Sequence, residues 1–189
     1  MKGFVLEGVV AHIETEYGAK YTDDLIISMN QEVTGLFAMA DYPDDTLDIM
    51  LQHAAKLLGI PRAKLGKVLG IYLFAELIVI NSAWVEQNDN GFDLLKTHDM
   101  ALRQLTMVAF PDFVPPSYVC TQINAEMMEI VFQSTFVPEC IAEGLIGAML
   151  GHYNERFSIE KKESDQQLGL TRQFIARRKI TQHLLAESM

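Results

Sequence analysis

The sequence predicts an α+β domain, in which a helical half is followed by an antiparallel sheet with an inserted helix. The first half of the 189 residues repeats apolar side chains at helical spacing. After a proline-rich segment, residues 110–119, β-branched and aromatic side chains alternate at period two. We expect one domain over residues 1–178, helical over about 1–110 and sheet-forming over about 111–178, with residues 179–189 as a C-terminal tail.

Helix signals mark the first half of the chain. Val5, Val9 and Ile13 recur every four residues and form one apolar face, and Gly18 ends that pattern. Pro61 and the glycine two residues before it end a later helix in the same way. The further predicted helices are residues 22–29 (opened by Thr22-Asp23-Asp24), a helix from Asp44 or Asp45 to residue 58, residues 62–80 (one helix, or two that meet near Gly70), and residues 92–110.

Strand signals dominate the second half. Asn124-Ala125 suits a tight turn between the first two strands, and Pro138 opens a helix over about 138–152. The predicted strands lie within SYVCTQIN (117–124), AEMMEIVFQST (125–135), ERFSIEKKES (155–164) and GLTRQFIARRK (169–179).

Composition limits the classes of function. Hydrophobic residues make up 49% and charged residues 21%, as in a soluble globular protein. The formal net charge of −10 disfavours binding to nucleic acid or to an anionic membrane surface. The most apolar stretch, residues 71–80, contains Glu76, which favours a buried helix over a membrane span. Two cysteines do not make a disulfide framework or a zinc site, and we expect a cytoplasmic protein.

No catalytic constellation is visible. The sequence has no glycine-rich phosphate loop, GxSxG, HExxH or CxxC motif, and its five histidines fall on five different segments. Acidic pairs fall at helix starts, where the helix dipole explains them. The methionines, Met100 and Met107 among them, favour core filling over a ligand pocket. We therefore do not predict an enzyme.

The order of segments resembles the heme–nitric oxide/oxygen-binding (H-NOX) family, which is related to the sensor domain of soluble guanylate cyclase. The resemblance rests on five collinear segments that cover about residues 1–178. They are MKGFVLEGVVAHIETEYG, YPDDTLDIMLQHAAKLLGIPRAKLGKVLGIYLF, the helix end LRQLTMVAFPDFVPPSY, the strand VFQSTFVP, and ECIAEGLIGAMLGHYNERFSIEKKES with its Glu-Gly-Leu.

The resemblance implies a heme cofactor, but the family's heme-binding positions are altered in this chain. The family's iron ligand is a histidine seven residues before the aromatic residue of the aromatic-Pro pair, and counting back from Phe110 gives Arg103. The family's propionate clamp, Tyr-x-Ser-x-Arg, corresponds to Phe132, Ser134 and Phe136. Arginine has no lone pair for iron, and two of the three groups that grip carboxylates are missing.

His98 is the alternative iron ligand. It lies five residues before Arg103, about 140° around the helix and about 7.5 Å along it, so it requires a different register or heme pose. Arg103 either pairs with Asp99 four residues earlier, extends out of a partly apolar face, or points into the pocket towards an anionic ligand. Phe132 and Phe136, four apart on one predicted strand, would present an apolar surface.

We therefore predict a stand-alone bacterial sensor domain without the family's standard heme ligation. It would bind an apolar or anionic small ligand between its halves and signal to a partner such as a histidine kinase or a cyclic-nucleotide enzyme. Two alternatives stay open: a heme-based gas sensor that uses His98, and an interaction module with no ligand. The predicted cavity-lining residues are Val5, Val9, Leu73, Met100, Arg103, Met107, Phe132, Ser134 and Phe136.

Overall fold

The computed structural model describes residues 1–29, 36–162 and 171–179. The α+β prediction is confirmed: helices come first, and a sheet with one inserted helix follows. The predicted tail lies outside the described residues, apart from Lys179. The described elements are α1 (Phe4–Tyr17), α2 (Ala19–Ser28), α3 (Thr46–Leu58), α4 (Arg62–Ile80), α5 (Ser82–Glu86), α6 (Gly91–Met107), β1 (Ser117–Asn124), β2 (Met127–Gln133), α7 (Glu139–Gly151), β3 (Phe157–Lys162) and β4 (Thr171–Arg178).

Gly18 separates the first two helices. Its φ of 96° lies in a region that glycine adopts without strain, and its N–H donates to the carbonyl oxygen of Glu14 at 2.9 Å. Because the chain turns at this single residue, α2 begins at Ala19. The sequence prediction that Thr22 caps this helix is therefore wrong, since Thr22 lies inside it.

The N-terminus of α6 is capped by a side chain. The side-chain oxygen of Asn90 accepts hydrogen bonds from the backbone N–H groups of Phe92 and Asp93, at 3.0 and 3.1 Å. The helix ends at Met107, three residues before its predicted end, and the proline-rich segment begins soon after. That segment then returns to α1, where the ring of Phe110 stacks on Phe4 with centroids 4.6 Å apart.

The described strands form one antiparallel sheet in the order β1-β2-β4-β3. Its inner face carries a row of buried side chains across three strands. Tyr118 pairs with Phe132 between β1 and β2, and Ile130 pairs with Phe174 between β2 and β4. Helices α6 and α7 pack with this face in one hydrophobic cluster. The sheet therefore holds α6 and α7 in place through this apolar contact.

Helices α4 and α7 approach each other closely because glycines face across their contact. Helix α4 is continuous through Gly70, which settles the choice between one helix and two. A Cβ added at Gly70 would collide with the carbonyl oxygen of Ile141, and one added at Gly144 would collide with the carbonyl oxygen of Lys67. Gly144 belongs to the Glu-Gly-Leu segment of the sequence. Glycine at these positions thus sets the spacing between the two halves.

The hydrophobic interior consists of two clusters, and α4 and α7 contribute different residues to each of them. One contains the inner face of the sheet with α5, α6 and α7, and the other contains α1, α2, α3 and the first half of α4. Leu73 and Val137 pack against both clusters. Within residues 1–29, 36–162 and 171–179, no helix is long and apolar enough to cross a bilayer.

Candidate functional site

A cavity of about 440 Å³ lies where the two hydrophobic clusters meet. Its walls come from α1, α4, α6, the proline-rich segment, the start of β1 and the start of α7. The volume is in the range of small-molecule sites. The lining residues are Phe4, Val5, Glu7, Gly8, Ala11, Tyr72, Leu73, Glu76, Leu77, Ile80, His98, Leu102, Phe113, Pro116, Tyr118, Phe136, Val137, Ile141 and Leu145.

The polar groups of the cavity are unevenly distributed between its exposed and buried sides. Glu7 on α1 and Glu76 on α4 are exposed, so they mark the side that opens to solvent. His98 and Tyr118 are buried and mark the inner side. No lysine or arginine is among the described residues that line it. Between these two ends the walls are almost entirely apolar.

His98 is the most unusual residue of the site. Its side chain is 1% exposed, and neither ring nitrogen has a hydrogen-bond partner among the described residues. Its ring centroid lies 4.9 Å from that of Tyr118 and 5.6 Å from that of Trp84. Burial lowers the pKa of His98 to about 4, because the charged form is poorly solvated there. The imidazole is therefore neutral near pH 7.

Asp99, the next residue on α6, ties this helix to the sheet. One carboxylate oxygen accepts a hydrogen bond from the backbone N–H of Tyr118 at 2.6 Å, and the other accepts one from the hydroxyl of Ser117 at 3.1 Å. The suggested ion pair between Asp99 and Arg103 does not form. The carboxylate of Asp99 is instead hydrogen-bonded to the first residues of β1. His98 and Asp99 thus both contact β1.

Three of the predicted lining residues lie on the outer surface, and the structure corrects their assignment. Arg103 is exposed, and Met100 and Met107 are 58% and 65% exposed. The reason is helix geometry: α6 turns His98 and Leu102, four residues apart, towards the cavity. A residue five positions after His98 lies about 140° away from that direction. The suggestion that Arg103 meets an anionic ligand in the pocket is therefore wrong.

Three other predicted residues are close to the cavity but do not line it. Val9 is 1% exposed and packs in the core of the helical half. Phe132 is 2% exposed on the inner face of the sheet, with its ring centroid 5.0 Å from that of Tyr118. The hydroxyl of Ser134 accepts hydrogen bonds from the N–H groups of Phe136 and Val137, at 3.2 and 2.9 Å. Ser134 therefore organises the entry to α7.

Val5, Leu73 and Phe136 do line the cavity. Phe136 reaches it by a different route from the one predicted, because β2 ends at Gln133. Phe136 lies in the turn after that strand, so it does not share a strand face with Phe132. Its ring centroid lies 5.6 Å from that of Phe113 in the proline-rich segment.

Several lining residues were not predicted from the sequence, although those on α1 repeat at helical spacing. On α1 the cavity uses Phe4, Gly8 and Ala11, which repeat at i, i+4 and i+7 beside the strongly apolar face. That face, with Val9 and Ile13, is instead buried against the other helices. The other missed polar lining residues are Glu7, Tyr72, Glu76 and Tyr118. No group of three or more metal-ligating side chains is present in the described part of the chain.

Comparison with known proteins identifies the family. Residues 2–161 match the family model described as Haem-NO-binding. No curated protein matches the sequence.

Solved structures of H-NOX proteins share the fold. An Fe(II) unliganded H-NOX protein from K. algicida is 14% identical over 97% of this chain and 99% of its own, with a TM-score of 0.81. An H-NOX protein from S. oneidensis in the Fe(II)NO ligation state is 16% identical over 95% of this chain and 100% of its own, with a TM-score of 0.80. A mutant of the T. tengcongensis H-NOX is 16% identical over 95% and 98%, with a TM-score of 0.80. The chain belongs to the Haem-NO-binding family and has the H-NOX fold.

Proposed function

We propose that this chain is a sensor domain whose cavity binds a small, mainly apolar ligand, without a heme held in the family's usual manner. The observation that carries the proposal is the cavity of about 440 Å³ with its buried, unpartnered histidine. A buried polar group without a partner costs free energy, on the order of 1–3 kcal/mol. A ligand that brings a hydrogen-bonding group such as a hydroxyl to the imidazole would offset that cost, once the ring turns towards the cavity.

The residues present do not fit a heme bound in the family's manner. The family's iron-ligand position holds Arg103, which is exposed on the outer face of α6. At the positions of the propionate clamp, Phe132 is in the core and Ser134 is occupied by backbone groups. The described lining offers two carboxylates and no cation to the two propionates. Like charges at the opening would repel a heme held there.

Signalling to a partner protein is part of the proposal. His98 lines the cavity, and the neighbouring Asp99 holds the first residues of β1. A ligand that moves the imidazole would therefore shift α6 relative to β1, and a partner would detect that shift. The family suggests a histidine kinase or a cyclic-nucleotide enzyme as such a partner.

Filling the cavity tests whether it binds a ligand. Gly8 lines the cavity, and a Cβ added there meets Leu73 at an ordinary 3.5 Å, so we expect Gly8→Leu to fold and to occupy the space. We expect decanol to quench or shift the fluorescence of Trp84, the single tryptophan, in the parent protein but at least tenfold more weakly in Gly8→Leu. Fluorescence titration with decanol measures this.

Gly147→Leu is the matched control. Its added Cβ meets Ile159 at the same 3.5 Å, but Gly147 lies in a separate groove between α4, α7 and β3. It should bind decanol as the parent does. If neither the parent nor the control binds decanol, and native mass spectrometry of the purified protein shows no small molecule, the chain is a ligand-free interaction module.

A heme-based gas sensor that uses His98 is the second candidate. It is favoured by the two unpartnered ring nitrogens and by the lowered pKa, since iron binds the neutral imidazole. Neither nitrogen is accessible to solvent in the structure, so the ring would have to turn towards the cavity before it could bind iron. Hemin titration separates this candidate from the first.

A further inference from the structure

The opening of the cavity carries two carboxylates that lack cationic partners. Glu7 on α1 and Glu76 on α4 both line the cavity and are both exposed. Neither forms an ion pair with another described residue, although many other acidic side chains of the domain do. Their charge therefore remains available to whatever enters between α1 and α4.

The wall beside Glu76 shows that its charge reaches the cavity. Tyr72, one turn earlier on α4, also lines the cavity. The pKa of Tyr72 is raised, first by burial and then by the neighbouring carboxylate of Glu76 and a hydrogen bond with it. Glu76 and Tyr72 thus lie side by side on the wall of the cavity.

The inner end of the cavity supplies no opposing charge. His98 lines the cavity and is 1% exposed, and neither of its ring nitrogens has a hydrogen-bond partner among the described residues. Because its imidazole is neutral, it does not attract an anion. The whole site is therefore electrically negative at its opening, apolar along its walls and neutral at its inner end.

We propose that the cavity takes an amphiphilic cation: an apolar body that fills the walls, and an ammonium group held between Glu7 and Glu76 at the opening. This inference rests on the proposed ligand-binding function and names the chemical class of the ligand. Apolar contact with the aromatic and aliphatic walls supplies most of the affinity. The two carboxylates select a cation over an anion of the same length.

Three probes of equal chain length test the charge preference. Decylamine, decanol and decanoate are titrated at low ionic strength with Trp84 fluorescence as the readout. We expect decylamine to bind most tightly, decanol next and decanoate most weakly. Added salt should reduce only the advantage of decylamine over decanol, because it screens exposed charges. If decanoate binds as tightly as decylamine, the inference fails while the proposed function stands. If none of the three binds, both fail.

Charge-removing variants locate the preference. Glu7→Gln and Glu76→Gln should each weaken decylamine binding about 2- to 5-fold, as expected for exposed ion pairs, and should therefore lower the ratio of decylamine affinity to decanol affinity. Glu14→Gln is the control, because Glu14 is exposed on the same helix as Glu7 but does not line the cavity. Equal losses in Glu14→Gln would mean that decylamine responds only to the overall net charge, which overturns the proposal.

Discussion

At the scale of single residues, the site is dominated by one histidine in an apolar surrounding. His98 is packed between the rings of Trp84 and Tyr118 and has no described hydrogen-bond partner. An isolated histidine on a helix gives no such indication in the sequence, where a surface position is the ordinary expectation. The structure shows it buried because α6 turns it away from solvent and towards β1.

Burial of neutral His98 predicts a pH-dependent stability. Its pKa is about 4 in the folded chain and about 6.5 when unfolded, so the unfolded state binds the proton first as the pH falls. The contribution of His98 to the unfolding free energy is fully present above about pH 6.5 and is lost as the pH falls from about 6.5 to 4. We expect His98 to account for about 2–3 kcal/mol of the decrease in unfolding free energy between pH 7.5 and 4.5. Urea titrations followed by Trp84 fluorescence measure it.

The variant His98→Phe isolates this contribution. It keeps a ring between Trp84 and Tyr118 but cannot bind a proton, so its unfolding free energy should fall less steeply over the same pH interval. His53→Gln, on α3, is the control and should follow the parent. An equally steep decrease in His98→Phe would show that other groups, such as the buried His12, are responsible.

At the scale of elements, the contact between α4 and α7 joins the two halves of the chain. Glycines at the contact allow backbone to approach backbone, so Cβ atoms at Gly70 and Gly144 have no room. Ion pairs also connect these elements. Lys67 on α4 pairs with Glu143 on α7 at 2.5 Å, and Lys161 on β3 pairs with Glu143 at 3.4 Å. The cavity wall includes residues of both helices, so this contact also sets its shape.

Alanine at Gly144 should therefore destabilise the protein. The added methyl group collides with the backbone of Lys67 and forces the helices apart, so we expect a loss of about 2–4 kcal/mol in unfolding free energy. Gly147→Ala, one turn later on α7, has an ordinary contact with Ile159 and should be neutral or stabilising by up to about 1 kcal/mol. Thermal unfolding of both variants tests this; equal stabilities would show that the helices adjust freely.

The order and type of the elements were predictable from local signals, because those signals are strong at this scale. Gly18 and Pro138 end and open helices in the structure as in the sequence, and the turn after Asn124 joins β1 to β2. Rotation of a helix about its axis was not predictable in the same way. On α6, Met100 and His98 belong to different faces, and only the position of the sheet decides which face is buried.

At the scale of the whole molecule, the family resemblance indicated where a cavity forms but not which residues line it. The resemblance placed Arg103 at the iron-ligand position, yet the chain turns Arg103 outward and His98 inward. Carrying a residue's role over from a relative assumes that each helix presents the same face to the core in both proteins. At 14–16% identity most side chains differ, so a helix can be rotated about its axis. The charges at the cavity opening come from separate helices, so no local pattern reveals them.

The absorption spectrum of the protein with one equivalent of hemin, before and after reduction and addition of nitric oxide, distinguishes a sensor without family-type heme ligation from a heme-based gas sensor. The H-NOX protein from S. oneidensis, observed in an Fe(II)NO state, serves as the positive control. We predict no sharp stoichiometric Soret band and no shift with nitric oxide, with identical spectra for His98→Ala. A stoichiometric Soret band that His98→Ala abolishes would rule out the proposed heme-free function and establish His98 as the iron ligand.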